Sequence, residues 1–482
     1  MELSKLMSNI KFKGNLQNCI IESINCDSRK IKNDSLFIAI KGENHDGNLF
    51  INQAIKNGAV AIVTESNIKV TSTVSNLKVK NCRLALSLIC AQFYKNHSKK
   101  INIIGITGTN GKTSVTHIIQ HLIKVNKKAC ATIGTLGFKI SKSIVETAFT
   151  TPETIELNNM IDTIIKKNID NLVMEVSSHA LKHHRVSNID FDIGIFTNLT
   201  PEHLDFHGSM DNYLKAKIQL FKNLNENHFA IINLDDQFAQ SFILSTKAKI
   251  ITYGFNRKAD ITVIKSKFSI NGIKASFQIK DSINSIETCL IGDYNLSNIM
   301  ASIAACISLD IPVNDIIKAF KTLKTIPGRM EEISSSAPGK VFIDYAHTPD
   351  AYEKLFSSVE KVLDKNTKII SLFGCGGDRD YNNRIALAKI SENYSDYIFV
   401  TTDNPRNESI DKINNDIVKG FSKNNFSIIK NRKKAIQTAL SKMKDNNILL
   451  ILGKGRESFQ KVGEEKKYHN DVEIIQDYCY AS

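Results

Sequence analysis

Gly105-Ile106-Thr107-Gly108-Thr109-Asn110-Gly111-Lys112-Thr113-Ser114 follows the apolar run Ile101-Asn102-Ile103-Ile104 and leads into an amphipathic stretch at 115–125. A strand that feeds a glycine-rich turn, a Lys-Thr pair and a helix forms a phosphate cradle. The glycines let backbone N–H groups converge on phosphate oxygens, and the helix N-terminus adds about half a positive charge there. In this pattern Lys112 neutralises β- and γ-phosphates, and the Thr113 hydroxyl reaches a magnesium ion. One departure from G-x-x-x-x-G-K-[ST] stands out: Ile106 occupies the first glycine position, and Gly105 lies one residue early. The stretch predicts a nucleoside triphosphate site, with Gly108, Thr109, Asn110, Gly111, Lys112, Thr113 and Ser114 around the phosphates.

Further runs extend the pattern in both directions. Strand-like segments at 36–40 and 59–63 flank a helical stretch at 50–57. Strands are expected at 172–176, 193–197 and 229–234, with a helix at 213–225. After Ile326-Pro327-Gly328-Arg329, a turn and a plausible hinge, strands at 341–345, 369–373, 397–401 and 448–452 alternate with helices at 351–363 and 384–394. The alternation predicts an α/β protein with largely parallel sheets. With 482 residues and roughly 100–200 per domain, three domains are expected, at 1–98, 99–328 and 329–482. In such sheets ligands bind beyond the carboxyl ends of strands, where Glu175, Asp235, Asp344, Asp403 and Gly453 fall.

The hydrophobic and charged fractions, 42% and 23%, are ordinary for a chain with a buried core. The net charge of +14 comes from lysines scattered among Asn and Ile, not from a basic tail. It reads as a solvated surface whose field an anionic substrate could use, not as a nucleic-acid site. The nine cysteines include no C-x-x-C pair, which fits reduced thiols better than disulfides or zinc. No apolar signal region opens the chain and no run approaches the roughly 18 apolar residues of a membrane span. A soluble cytoplasmic protein is expected.

Other residues carry chemistry. Glu175, in Met174-Glu175-Val176-Ser177-Ser178-His179, ends a buried-looking strand where a second magnesium ligand sits in phosphate-loop folds. His203, Asp205 and His207 form one polar cluster and His179, His183 and His184 another; neither has the spacing of a dedicated zinc site. Lys217 reads by itself as a solvated helix lysine. Gly374-Cys375-Gly376-Gly377-Asp378-Arg379-Asp380 and Asp403-Asn404-Pro405-Arg406 follow two strands, and arginine there suits a bidentate grip on a carboxylate. Gly453-Lys454-Gly455-Arg456-Glu457 follows a third.

Taken in order, these residues resemble the Mur ligases, the ATP-driven enzymes that build the peptide of the bacterial cell-wall precursor. The resemblance covers about residues 22 to 472. Besides the motifs above, it rests on Asp27-Ser28-Arg29, Gly42 to Gly47, Thr150-Thr151-Pro152, Glu175 to Arg185, His203-Leu204-Asp205, Tyr213 to Lys217, Asn295 with Asn298, Pro327-Gly328-Arg329 and Asp344 to Pro349. It implies three domains: a small N-terminal α/β domain that binds uridine diphosphate, a central phosphate-loop ATPase domain with a mainly parallel sheet, and a Rossmann-like C-terminal domain. It also implies ligation of meso-diaminopimelate to the D-glutamate of UDP-N-acetylmuramoyl-L-alanyl-D-glutamate through an acyl phosphate. That reaction belongs to peptidoglycan precursor synthesis and so to cell-wall biogenesis, cell shape and division.

The resemblance distributes the roles. Cys26, Ser28, Glu43, Asn44 and His45 would hold the uridine diphosphate. Thr150, Thr151, Ser177, His183 and Arg185 would hold the muramoyl dipeptide. Asn295, Asn298, Arg329, Asp344 and His347 would line ATP. Lys112, Glu175, His203 and Lys217 would be catalytic, with Thr113, Glu175, His203 and Lys217 on the Mg²⁺ side and Lys217 converted by CO₂ to a carbamate. Arg384, Asp403, Asn404, Pro405, Arg406, Gly453 and Glu457 would bind meso-diaminopimelate. Arg406 would clamp its distal carboxylate, a residue that lysine-adding relatives lack. The partners are small molecules, without nucleic acid or membrane, acting on a monomer. Departures from the family pattern fall at Phe149, His183, Tyr381-Asn382-Asn383 and Arg456.

Three other readings compete. A lysine-adding relative is disfavoured by Arg406. Folylpolyglutamate synthase lacks the N-terminal uridine-binding domain to which residues 22–63 correspond. A non-enzymatic nucleotide switch or nucleic-acid binder would not need three carboxylate-binding sites, and a nucleic-acid binder should cluster Arg and Lys with aromatics.

Overall fold

The computed structural model describes all residues except 43, 44, 69, 71, 72, 365 and 479–482. Glu43 and Asn44, expected at the uridine diphosphate, lie outside the described residues. Three large sheets organise the chain. The first has five strands in the spatial order Phe12–Asn15, Ser75–Val79, Ala59–Thr64, Ser35–Ala39, Ser23–Asn25, parallel except for the first pair. Helix Cys82–Phe93 covers one face with Leu86, Ile89 and Cys90, and the Asn81 side chain caps it by accepting from Leu84 N at 3.0 Å.

The central sheet has eleven strands. Its parallel part runs Cys130–Gly134, Asn171–Glu175, Asn102–Thr107, Ile193–Phe196, Phe229–Asn233, Lys249–Gly254, Ile261–Ser269. The chain leaves Asn102–Thr107 towards one side and later returns to its other side. The carboxyl end of that strand is therefore a switch point of the kind at which α/β sheets bind ligands. The helix that follows, Lys112–Val125, buries Val115, Ile118, Ile119, Leu122 and Ile123. Their three- and four-residue spacing makes one apolar stripe against Tyr294–Ser308, each large aliphatic contributing roughly 1.5–3 kcal/mol.

Gly105 explains the irregular motif. It lies within the strand, and a Cβ there would come 2.7 Å from the Phe191 ring. It is a packing glycine. The phosphate turn instead uses Gly108 and Gly111, at φ +150° and +89°, backbone angles that glycine adopts without strain.

Antiparallel strands extend the central sheet at both ends. Gly137–Ile140 and Ser143–Val145 flank one end; Gly272–Ile279 and Ser282–Thr288 flank the other. The expectation of largely parallel sheets holds for the core and omits these hairpins. Their outer faces carry Lys, Ser and Asn, so the apolar alternation is weak, although Asn271-Gly272 is a strong hairpin signal.

The third sheet runs Glu331–Ile333, Lys340–Asp344, Asn447–Leu452, Lys368–Phe373, Tyr397–Val400, Phe426–Ile428, parallel except for the first pair. Apolar clusters fill both of its faces, under Pro349–Glu360 and Tyr381–Tyr394 on one side and Arg432–Ser441 and Asp471–Tyr478 on the other. The cysteines among the described residues are free thiols. Among the described residues, no helix is long and apolar enough to cross a membrane.

Candidate active site

A cleft of about 610 Å³ opens where the central strand ends meet the third sheet. Two lysines converge at its floor. Lys112 Nζ donates to the Gly108 and Thr109 carbonyls, each at 2.7 Å. Lys217 Nζ donates to the same Gly108 carbonyl at 2.8 Å and lies 4.6 Å from the Tyr213 ring centre. Lys217 is fully buried, the opposite of the solvated helix lysine its surroundings in sequence suggest. Burial lowers the pKa of Lys112; it also drives Lys217 well below the ordinary lysine value, with Lys112 adding to the effect. Lys217 is thus biased towards the neutral amine.

Thr113 and Glu175 meet beside the lysines. The Thr113 hydroxyl donates to Glu175 Oε2 at 3.0 Å, and Arg329 Nη2 donates to Thr113 Oγ1 at 3.0 Å. Thr135, which sequence reasoning missed, holds the carboxylate through its N–H at 2.9 Å and its hydroxyl at 3.1 Å. Gly134 is required here, since a Cβ would lie 2.3 Å from Glu175 Oε1. Among the described residues no cage of three or more His, Cys, Asp or Glu side chains forms. The hydroxyl and carboxylate are hard donors with coordination positions left for phosphate oxygens and water, which fits Mg²⁺.

The adjoining wall carries the residues expected at the dipeptide. Thr150 and Ser177 line the cleft. Thr151 lies behind them: its hydroxyl donates to the Glu175 carbonyl at 2.9 Å and accepts from Ser177 N at 3.0 Å. Arg185 donates to the Thr151 carbonyl at 3.0 Å, pairs with Glu153 at 2.5 Å and stacks 4.5 Å from the Phe149 ring centre. Phe149, a departure from the family pattern, therefore supports a guanidinium. Cys26 and Arg185 both feel the charge of Arg83, which places this unforeseen arginine at the junction with the first sheet. Ser28 is buried and donates to Gln53 at 2.9 Å; the His45 carbonyl accepts from Gly42 N at 2.9 Å.

His203 lines the cleft, with its ring 4.7 Å from His179, which stacks on Phe206 at 4.1 Å. His183 packs against the same Phe206 ring at 5.4 Å. Burial is the first cause that pushes His179 down to about 3 and His207 to about 4, so both are neutral at pH 7. Glu202 was missed, although it adjoins His203. Its carboxylate lies 3.7 Å from both His203 and His347. Burial would raise its pKa, but His347, His203 and Lys112 outweigh burial and hold it down. Burial opposes the charging of His347, yet Glu202 raises it overall.

On the nucleoside side, Asn298 reaches the cleft against Gly111, where a Cβ would meet Asn298 Oδ1 at 2.6 Å. Asn295, expected to line ATP, is not on the cleft wall. Its Nδ2 donates to the Ile291 carbonyl four residues back at 2.7 Å, and its Oδ1 accepts from Asn298 at 2.8 Å. It orients Asn298 instead. Asp344 accepts from the N–H groups of Met330 and Ala346 at 2.7 and 2.6 Å, tying the segment after Arg329 to the end of strand Lys340–Asp344.

The residues expected at the amine gather beside the cleft. Asn404 Nδ2 donates to Glu457 Oε2 at 2.9 Å, and the fully buried Lys454 ammonium contacts both, at 3.2 Å from Asn404 Oδ1 and in an ion pair with Glu457. Gly453 leaves room for Asp403, whose Oδ2 would sit 2.8 Å from a Cβ there. Arg406 Nη1 donates to the Gly377 carbonyl at 2.6 Å, and Pro405 packs its carbonyl against Gly377. Arg384 differs from the expectation. It is buried between Glu408 and Asp416, at 2.5 and 3.1 Å, with Nη2 on the Gly376 carbonyl at 3.3 Å. Two carboxylates compete for its donors, so it shapes the 374–380 loop from behind.

The chain matches three family models: Mur ligase family, catalytic domain over residues 20–94; Mur ligase middle domain over 106–306; and Mur ligase, glutamate ligase domain over 328–455. It is 37% identical to a UDP-N-acetylmuramoyl-L-alanyl-D-glutamate--2,6-diaminopimelate ligase of Caldanaerobacter subterraneus subsp. tengcongensis, over 100% of both chains. It is 38% identical to a Fusobacterium nucleatum relative with the same description, over 94% of this chain and 93% of that one. A solved structure of a UDP-N-acetylmuramoyl-L-alanyl-D-glutamate--2,6-diaminopimelate ligase superposes with a TM-score of 0.71 at 27% identity, over 100% of this chain and 99% of the other.

Proposed function

Since the chain belongs to the Mur ligase family, we propose that it is an ATP-dependent ligase that adds 2,6-diaminopimelate to UDP-N-acetylmuramoyl-L-alanyl-D-glutamate in peptidoglycan precursor synthesis. The single observation that carries this reading is the shared cleft. One cavity lines up the phosphate turn, the Thr113–Glu175 pair, Ser177 and His203 from the central unit with Arg329, Asp344 and His347 from beyond the hinge.

A carboxylate is a poor electrophile, and phosphorylation gives it a leaving group. An oxygen of the D-glutamate γ-carboxylate attacks the γ-phosphorus of ATP, and ADP leaves. The amine then attacks the acyl carbon, loses a proton, and phosphate departs as the amide forms. Lys112, held on the Gly108 and Thr109 carbonyls beside the phosphate turn, neutralises the phosphates. Thr113 and Glu175 would hold Mg²⁺, with His203 on the side of a second ion; the metal supplies neutralisation of phosphate charge. Arg185, braced by Glu153 and Phe149, and Ser177 orient the dipeptide. These groups work chiefly by alignment and charge neutralisation.

Lys217 is converted to a carbamate in this reading. Its neutral amine adds to CO₂, an N–C bond forms, a proton leaves, and the buried amine becomes an anionic oxygen donor facing the cleft. Complete burial of the amine beside Lys112 supports the conversion, because a second fixed cation there is costly. Arg406 binds the distal carboxylate of the meso isomer, with Asn404 and Glu457 on the distal ammonium. In this reading the reaction is cytoplasmic, where ATP and the small-molecule substrates would be met. The test is ADP release with the UDP-linked dipeptide and either meso-diaminopimelate, L-lysine or no amine. Turnover is expected with meso-diaminopimelate; equal turnover with lysine would remove the role of Arg406.

A further inference from the structure

Helix Pro349–Glu360 of the third sheet is fastened to the central unit at both ends. Thr348 caps it by accepting from Ala351 N at 3.3 Å, and Tyr352, Leu355, Phe356 and Val359 bury one face in the core of the third sheet. Its place on that sheet is therefore fixed. In the first turn Asp350 Oδ2 accepts from Asn110 Nδ2 at 2.8 Å, although 240 residues separate the two. At the other end Ser358 Oγ donates to Asp293 Oδ1 at 2.7 Å, and Lys361 Nζ pairs with Asp293 Oδ2 at 2.6 Å. Asp293 directly precedes helix Tyr294–Ser308, which carries Asn298. The two clasps lie about 12 Å apart along the helix. One falls on the phosphate turn and the other on the nucleoside side of the same cleft.

The first clasp bears on the chemistry. The backbone of Asn110 is already held from the central sheet. Its N–H donates to Asn198 Oδ1 at 2.9 Å, and its carbonyl accepts from Thr197 Oγ1 at 2.7 Å and Asn198 Nδ2 at 3.1 Å. Its side chain is held from the third sheet instead, so Asn110 joins the phosphate turn to both units. A carboxylate beside a triphosphate site opposes the phosphate charge. Lys354 offsets it, with Nζ 2.9 Å from the same Asp350 oxygen. A packing contact would not need a charge here; a carboxylate with its own counter-ion fixes the direction of the Asn110 amide.

We propose that Asp350 is a positioning residue for phosphoryl transfer: from the third sheet it holds the Asn110 amide, and through it the phosphate turn, in the geometry that receives the triphosphate. The assignment rests on the ligase reading above. It gives Asp350 no contact with a reacting atom; the residue acts through Asn110.

The test is a double-mutant cycle with Asp350→Ala, Asn110→Ala and both together, beside the conservative Asp350→Asn. ADP release is followed with UDP-linked dipeptide and meso-diaminopimelate at saturation while ATP is varied, and the KM of each other substrate is read in turn. Asp350→Ala should lower kcat/KM for ATP about 10- to 100-fold, with the KM of the dipeptide and of the amine changed by less than about threefold. Asp350→Asn keeps an oxygen that can accept from Asn110 and should stay within about threefold of wild type. The double variant should be no worse than Asn110→Ala alone, because the two residues act as one unit. Losses that multiply in the double variant would overturn the assignment. So would equal losses in Asp350→Ala and Asp350→Asn accompanied by a fall in melting temperature, which would mark a structural role. An active wild type beside an equally active Asp350→Ala refutes this assignment alone. Wild type that releases no ADP refutes the ligase reading and this assignment together.

Discussion

Arg456 grips Glu331 in a two-pronged ion pair, with Nε at 2.8 Å from Oε2, and that same oxygen accepts the Gly328 N–H at 2.7 Å. The 453–457 loop is thereby tied to the Pro327-Gly328-Arg329 turn, and the Arg329 guanidinium reaches Thr113 beside the phosphate turn. Arg456 is one of the departures from the family pattern, and its length lets it span to Glu331.

Arg456→Ala should therefore disturb function more than stability. The Arg456 side chain is 42% exposed, so the ion pair contributes no more than about 1 kcal/mol. The amine KM should rise about tenfold, and Arg456→His should restore part of it. Steady-state kinetics beside thermal melts decide the matter; an unchanged KM with a large drop in melting temperature would make the pair merely structural.

Gly134→Ala probes the metal-side carboxylate without touching it. The new methyl would displace Glu175 from Thr135 and Thr113. Turnover should fall at least about 100-fold, while the apparent Mg²⁺ requirement moves to higher concentration. Full activity in the variant would show that Glu175 can leave its observed position at no cost.

Lys217→Ala should abolish most activity, and bicarbonate should not restore it. In wild type, ¹³C-labelled bicarbonate should yield a carbamate carbon resonance that Lys217→Ala lacks. An identical spectrum in both proteins would reject the modification.

Glu408 links stability to pH. Arg384 is the first cause that holds its carboxyl down to about 2, against about 4.3 in an unfolded chain. A depressed carboxyl stabilises above the unfolded value, and the contribution disappears as pH falls through the folded one. Glu408→Gln should lose about 1–3 kcal/mol at pH 7, and its gap to wild type should narrow from about pH 4 downwards. Denaturant melts across pH 7 to 3 measure this; a gap independent of pH would mean that the charge contributes nothing.

Much of the site was legible because its chemistry is contiguous. The phosphate turn, the Asp403–Arg406 segment and the Gly453–Glu457 segment each follow a strand, and the fold delivers all three to one edge. What sequence spacing could not reveal depends on contacts between distant segments. Thr135 meets Glu175 across two neighbouring strands, the charge of Arg83 acts on Arg185 from helix Cys82–Phe93, and Lys217 looks solvated until Gly108 covers it. Asn295 shows the reverse limit: it shares a helix face with Asn298, yet a backbone carbonyl one turn back takes its amide. In sequence Gly105 looks like a motif glycine one residue early, because its reason, the Phe191 ring, is present only in the packed structure.

The central claim is that a sugar-linked carboxylate is primed by direct phosphoryl transfer. Substrate carrying ¹⁸O in the D-glutamate γ-carboxylate tests it, with the released phosphate analysed by mass spectrometry during turnover with meso-diaminopimelate. The account predicts that the released phosphate carries one ¹⁸O from the substrate. Phosphate free of ¹⁸O, released while amide accumulates, would contradict it.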